Sequence, residues 1–315
     1  MSRSKDDHPR VTVALITYIP VLAGYYAESL DVLKVCLESI WANTDVPYEL
    51  LVFDNASCPA VRTYLQRMQQ EGRIQYLVLS EKNLGKSGAW NFVLMAAPGE
   101  IISYADSDVY FYPGWLSAQL SVLARFPETG MVTGMPVSTP LWSTADYSTA
   151  TVSWAERQPN VKMLRGKVLA WEDYWRHARS LGAEEATARQ QYQATEDLCL
   201  EVAGQRYFVG AAHFQFTGPK AAFESVLPLS YDRPMGQVSQ LDTRLNEHGY
   251  LRLSTPEWWI QHLGNTLSGT DFSSQAHMQD QKASDRGQAG VWKHKWVRAF
   301  VSWVYHRSFD ILYGG

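Results

Sequence analysis

The chain has 315 residues, with 28 Lys and Arg set against 32 Asp and Glu for a formal net charge of −4, a length that suits one large α/β domain with additions or about two domains. This weak negative balance supplies no basic field and argues against a general nucleic-acid binder. Three widely spaced cysteines, Cys36, Cys58 and Cys199, argue against a disulfide scaffold or a zinc site and fit a reducing cytoplasm.

Residues 11–18 form a β-branched run that predicts a central strand. Residues 19–26, with Pro20 and Gly24, leave its tip as a loop. From Ser29 onward Leu33, Cys36, Leu37, Ile40 and Trp41 recur at helical spacing, predicting an amphipathic helix that stops before Asp45-Val46-Pro47. Residues 48–53 read as the next strand, ending in Asp54-Asn55-Ala56-Ser57, a polar cluster able to cap the helix that follows. Strand, helix and strand in this order make a right-handed βαβ unit. A helix over 59–70 and a strand over 74–79 continue the pattern.

Gly85-Lys86-Ser87 then imitates a phosphate-binding loop, but the further glycine such a loop needs is replaced by Ser80, so the nest is incomplete. The glycines suit a close backbone approach to a ligand, with Asn91 one turn inside the next helix and placed to reach back. A plain helix-capping loop accounts for the same residues.

Residues 99–111 organise the rest. An apolar run ends abruptly in Asp106-Ser107-Asp108, which predicts a strand tip presenting acid. In open α/β sheets ligands bind beyond the carboxyl ends of the strands, and two acids this close repel unless a positive group sits between them. A Mg2+ or Mn2+ ion carrying a diphosphate is the simplest occupant; a solvated Asp-Ser-Asp turn is the alternative. After the Pro113-Gly114 turn, a helix over 115–124 and a strand over 130–136 follow. Successive strand tips thus carry Thr17 and Tyr18, Asp54 and Asn55, the loop around Asn83 and Gly85, and Asp106 with Asp108.

Together these stretches, over about residues 11–137, resemble the nucleotide-sugar-dependent glycosyltransferases of family 2 with the GT-A fold. The residues concerned are Thr17-Tyr18, Phe53-Asp54-Asn55-Ala56-Ser57, the run from Asn83 to Asn91, and Tyr104-Ala105-Asp106-Ser107-Asp108. The resemblance implies an α/β, Rossmann-like, mostly parallel sheet flanked by helices, with an acceptor-side half. It also implies a nucleoside-diphosphate sugar donor, with Asp54 on the base, Asp106 near the ribose and Asp108 on Mn2+ or Mg2+. The loop at 19–26 is longer than the resemblance leads one to expect.

Residues 138–205 are less regular and read as an insertion, a lid or an oligomer contact, with an aromatic helical stretch from 168 and a solvated charged helix face over 183–191. Residues 206–216 alternate as one strand, followed by a helix over 219–226; in similar enzymes this region faces the acceptor, which makes His213 and Gln215 candidates for sugar contacts. A structural histidine is the competing reading of His213. A helix over 237–250, stopped by Gly249, resembles the segment that carries the family's catalytic Glu-Asp pair, but Gln237 and Val238 stand at those places. Asp242 is the carboxylate left on the early part of this helix and takes the base role by that resemblance; the alternative is a capping or i,i+4 partner for Arg244 or Asn246. After a strand over 251–254, His262 resembles the downstream histidine that completes the metal's coordination or touches the diphosphate. With Asp106 and Asp108 it forms the metal candidates, a buried structural histidine being the alternative.

Residues 268–290 are rich in Ser, Gln and Asp and predict a mobile loop. The tail over 291–313 sets Trp292, Trp296, Phe300 and Trp303 among Lys293, Lys295, Arg298 and Arg307. This suits a helix resting on the anionic inner face of a membrane, or a packing or homo-oligomer contact. Residues 1–10 show no apolar signal core, and no window reaches the roughly 18 apolar residues of a spanning helix, so a cytoplasmic chain, peripheral to a membrane at most, is expected. The expected division is a donor half over 1–137, an insertion over 138–205, an acceptor and catalytic half over 206–267, and the loop and tail. The expected activity is metal-dependent, inverting sugar transfer to a hydroxyl of a glycan, lipid-linked or small-molecule acceptor. A sugar-phosphate nucleotidyltransferase is the second reading, against which Ile19-Pro20-Val21-Leu22 offers no Gly-rich basic loop. A non-catalytic nucleotide- or carbohydrate-binding module is the third, and the missing Glu-Asp pair favours it.

Overall fold

The β-branched runs assemble into one ten-stranded sheet and a small two-stranded one in the computed structural model, which describes residues 10–138, 148–232 and 237–268. The strands are β1 (Val11–Thr17), β2 (Tyr48–Asp54), β3 (Tyr76–Leu79), β4 (Ile101–Asp106), β5 (Val109–Phe111), β6 (Thr129–Thr133), β7 (Val161–Gly166), β8 (Asp197–Val202), β9 (Gln205–Val209), β10 (Gln215–Pro219), β11 (Leu251–Ser254) and β12 (Ile260–His262). The described helices are α1 (Ser29–Asn43), α2 (Pro59–Gln70), α3 (Gly85–Ala96), α4 (Trp115–Arg125), α5 (Thr149–Glu156), α6 (Trp171–Ser180), α7 (Glu185–Ala194), α8 (Lys220–Glu224) and α9 (Ser239–Glu247).

Sheet order is β3-β2-β1-β4-β10-β6-β11-β9-β8-β7. β1 lies between β2 and β4 and runs parallel to both, with Val11 opposite Tyr48 and Ile101. Alternate side chains of a strand face opposite ways, and β1 shows it. Val11, Val13 and Leu15 pack with α1, α2 and α4 through Leu37, Leu65 and Trp115, whereas Ala14 and Ile16 pack with α3, α8 and α9 through Trp90, Phe223 and Leu241. Burial on both faces explains the unbroken apolar run, each large side chain contributing about 1.5–3 kcal/mol.

The α/β expectation holds, but parallel pairing dominates only in β3-β2-β1-β4. Beyond β4 the sheet is antiparallel except for β6 beside β11. The run over 206–216 is also two strands instead of one. Gly210, at φ 125°, turns the chain after β9, so that β9 pairs with β8 and β11 while β10 pairs with β4 and β6. Within the insertion, β7 and β8 extend the antiparallel edge, and α6 ends beside β12, where Ser180 meets His262. All three cysteines are free, and no described helix is long and apolar enough to cross a membrane. The expectations for residues 1–9, for 269–290 and for the aromatic tail fall outside the described residues.

Candidate active site at the strand tips

β4 ends on Asp106, and after Ser107-Asp108 the chain re-enters as β5, which pairs antiparallel with β12 so that His262 stands opposite Val109. The Leu263 N–H donates to the Asp108 carbonyl at 2.7 Å, and the His262 Nε2 lies 3.2 Å from the Asp108 Oδ2. On the other side of the ring, Nδ1 is 3.0 Å from the Ser180 Oγ. Ser180 spends its own proton on the His177 carbonyl, so its oxygen accepts from Nδ1–H and Nε2 is fixed toward Asp108. Burial disfavours charge on this imidazole, but the Asp108 carboxylate more than compensates and raises the pKa of His262. Burial pushes Asp108 the other way, and His262 and Lys86 together hold it below the usual carboxylate range. Among the described residues no donor reaches the enclosed Oδ1 of Asp108.

Asp106 is differently placed. Its Oδ2 is 2.6 Å from the Lys86 Nζ, its Oδ1 accepts from the Tyr104 hydroxyl, and its N–H donates to the Phe214 carbonyl. Burial is the largest influence and raises its pKa, with Lys86 opposing and the Asp108 charge adding to the rise. Both Asp106 oxygens are thus engaged, whereas the Asp108 Oδ1 keeps no hydrogen-bond partner among the described residues.

Several sequence-predicted donor contacts turn out to have structural occupations. The Asp54 side chain is fully enclosed: it accepts from the Ser57 N–H and lies 3.0 Å from the Arg62 Nε, while Arg62 continues to the Ser80 carbonyl and Glu81. It therefore ties the tips of β2 and β3 together, with its side chain fully buried. Thr17 is likewise buried in the central strand. The Asn55 amide bonds the Asn83 side chain and the Leu84 N–H, and Gly85, at φ 68°, receives the start of α3 against Asn83. Asn91 does not reach back to the loop: its amide donates to the Leu229 carbonyl and accepts from the Leu229 N–H. Tyr18 and Asn83 are the exposed members of this group.

On the β10 side, Gln215 is fully buried, accepting from the Gly134 N–H and donating to Gln119, so it knits the sheet to α4 and is closed to a sugar. His213 and Asp242 come together instead, with 2.5 Å between the His213 Nε2 and the Asp242 Oδ2. The Asp242 Oδ1 lies 2.7 Å from the Arg252 Nη2. Neither Arg244 nor Asn246 is Asp242's partner; Arg244 donates to the carbonyls of Val226 and Pro228, and Asn246 bonds Thr149 and Ala150. Sequence reasoning missed Arg252, Arg62 and Ser180. The signal for Arg252 was a lone cation inside the short apolar strand β11.

The profile described as Glycosyl transferase family 2 matches residues 21–187, more than half of the sequence. The chain belongs to this family. A curated family relative by sequence is the Succinoglycan biosynthesis protein ExoW of Rhizobium meliloti (strain 1021), 28% identical over 110 residues, or 34% of each protein; the chain thus matches about a third of that relative's length. Among solved structures, the mannosyltransferase PcManGT from Pyrobaculum calidifontis, in complex with GDP-Man and Mn2+, is 18% identical with a TM-score of 0.46, covering 81% of this chain and 57% of that one. S. aureus TarS 1-349 is 12% identical with a TM-score of 0.44, covering 80% and 59%. Of the site, the matched family-2 stretch contains Asp106 and Asp108, while His213, Asp242 and His262 lie beyond it.

Among the described residues no three His, Cys, Asp or Glu side chains gather into a ready metal cage. The family-2 site does, however, fit a hard divalent cation of the kind held by one or two protein groups and substrate phosphates. The unpartnered Asp108 Oδ1 and the oriented His262 Nε2 are the donors available to it.

Proposed function

We propose that this family-2 chain transfers a sugar from a nucleoside-diphosphate donor to a hydroxyl of a glycan, lipid-linked or small-molecule acceptor, with inversion at the anomeric carbon. The observation that carries the reading is the enclosed Asp108 oxygen with no protein donor, set beside His262 at the tip of β4. Asp108 and His262 would hold Mn2+ or Mg2+, which supplies charge neutralisation to a leaving diphosphate. Lys86 is the nearest side-chain cation to Asp106 and keeps that acid neutralised where the ribose would lie. Tyr18 and Asn83, exposed at the neighbouring tips, are the donor contacts. The acceptor's proton passes to the cluster around Asp242, directly or through a neighbour. A single displacement with one base gives inversion.

The test is a thermal-shift panel of UDP- and GDP-sugars with and without Mn2+, since a ligand bound only by the folded state raises its stability. Wild-type protein should be stabilised by one donor class in the presence of Mn2+, and Asp108→Ala should lose that dependence while still folding. A wild-type chain indifferent to every donor, or an Asp108→Ala protein with an unchanged Mn2+-dependent shift, would remove the proposal. Donor binding without any turnover would point to the binding-module reading.

A further inference from the structure

We infer that His213 is the group that takes the acceptor's proton, and that Asp242 is its positioning residue. The inference rests on the sugar-transfer reading above. Asp242 sits in the first turn of α9 with its side chain 5% exposed, one oxygen on Arg252 and the other on His213. Its Oδ1 is enclosed beside Arg252 and its Oδ2 lies on His213, so Asp242 presents no exposed oxygen to a substrate hydroxyl. His213 is 29% exposed and is the open member of the cluster.

The tautomer follows from the geometry. A carboxylate only accepts, so the His213 Nε2 carries the hydrogen and the lone pair of the neutral ring is on Nδ1. Among the described residues His213 has one hydrogen-bond partner, Asp242, through Nε2. Arg252 stabilises the arrangement twice, by its contact with Asp242 and by donating to the Ala211 carbonyl two residues before His213. Burial works against an ionised Asp242, yet Arg252 and His213 outweigh it and hold its pKa below the ordinary carboxylate value.

The ring is also at the right end of the sheet. Phe214, its neighbour, accepts the Asp106 N–H at 2.8 Å. The imidazole meets Trp90 edge-on, with centroids 5.7 Å apart, and Lys86 approaches the same indole at 5.4 Å while holding Asp106. The charged groups facing His213 are therefore Asp242 from α9 and Arg252 from β11, with Lys86 from α3 and Asp106 from β4 across Trp90. In the step, the acceptor oxygen bonds to the anomeric carbon while its proton moves to Nδ1. The bond from that carbon to the diphosphate breaks with its electron pair on the leaving oxygen. Asp242 stabilises the imidazolium until the proton passes to water.

The experiment measures Mn2+-dependent release of nucleoside diphosphate from the donor that the thermal-shift panel selects, with water as the acceptor, across pH 5–9. His213→Gln should lower kcat by about 100-fold or more, the scale of a lost general base. Its donor KM should stay within about twofold, and the acid-side loss of kcat that wild type shows should be absent from the variant. Asp242→Asn should lower kcat less than His213→Gln does and leave donor KM within about twofold, because the anion no longer orients the ring or stabilises the imidazolium. Nitrogen-15 spectra of histidine-labelled wild type should show His213 with hydrogen on Nε2, a readout that stands even should Asp242→Asn fail to fold. Full kcat in His213→Gln with normal donor binding, or hydrogen on Nδ1 alone, overturns this inference and leaves the transferase reading intact. If wild type binds no donor, both fall together.

Discussion

Replacing Arg252 by Met tests whether the buried Asp242–Arg252 pair is as closed as its geometry states. Both side chains are 5% exposed and 2.7 Å apart, so the substitution strands an anion in a low-dielectric site. Removing one partner of such a pair costs about 3–5 kcal/mol, and the surviving contact with His213 puts the expected loss near the lower end, about 3 kcal/mol. For a chain of this size that corresponds to a fall in Tm of roughly 4–6 °C, read by circular dichroism at pH 7.5. The pH dependence follows from linkage. The folded pKa of wild-type Asp242 is lowered from 3.8, so its contribution is present above that value and disappears as pH falls through the folded pKa. Without Arg252, burial pushes the same carboxyl upward, and the variant gains stability as acid protonates it. The deficit should therefore be largest at neutral pH and narrow on acidification. Arg252→Met combined with Asp242→Leu should recover most of the lost stability, since apolar residues of similar size replace buried pairs well. A Tm within about 2 °C of wild type at neutral pH, well below the expected fall, or a deficit that does not narrow with acid, would refute the reasoning.

Arg62→Met should cost about 2–4 kcal/mol in urea titrations, because it leaves the enclosed Asp54 without its cation; a loss below about 0.5 kcal/mol, the scale of a surface pair, would mean that the clamp across β2 and β3 is not closed. Gly218→Ala drives a methyl into the Gly130 carbonyl oxygen, between two paired strands, and should destabilise by about 3 kcal/mol or prevent soluble expression. A Tm equal to wild type would show that β6 and β10 do not approach so closely. Ser180→Ala removes the acceptor that orients His262 and should weaken Mn2+ binding about tenfold with little change in Tm. Paramagnetic titration of the donor complex reads this, and unchanged affinity would remove Ser180 from the site.

Sequence periodicity by itself determined the elements whose identity is local. The helices Ser29–Asn43 and Pro59–Gln70 and the strand Leu251–Ser254 are written in apolar spacing, a Pro at a helix start and a strand of buried alternation, all within a few residues of one another. The same local code put acids at the end of β4. Spacing says which face of an element is apolar, but it does not say which element covers that face. Only the tertiary structure decided that β10 lies between β4 and β6, that His213 and Asp242 meet across 29 residues of sequence, and that Lys86, resembling part of a phosphate loop, neutralises Asp106. It also enclosed Asp54 and Gln215, polar residues whose composition looks like that of a binding surface. A buried polar group must find its partner wherever the fold brings one, and that partner is set by long-range packing, which no short window of sequence encodes.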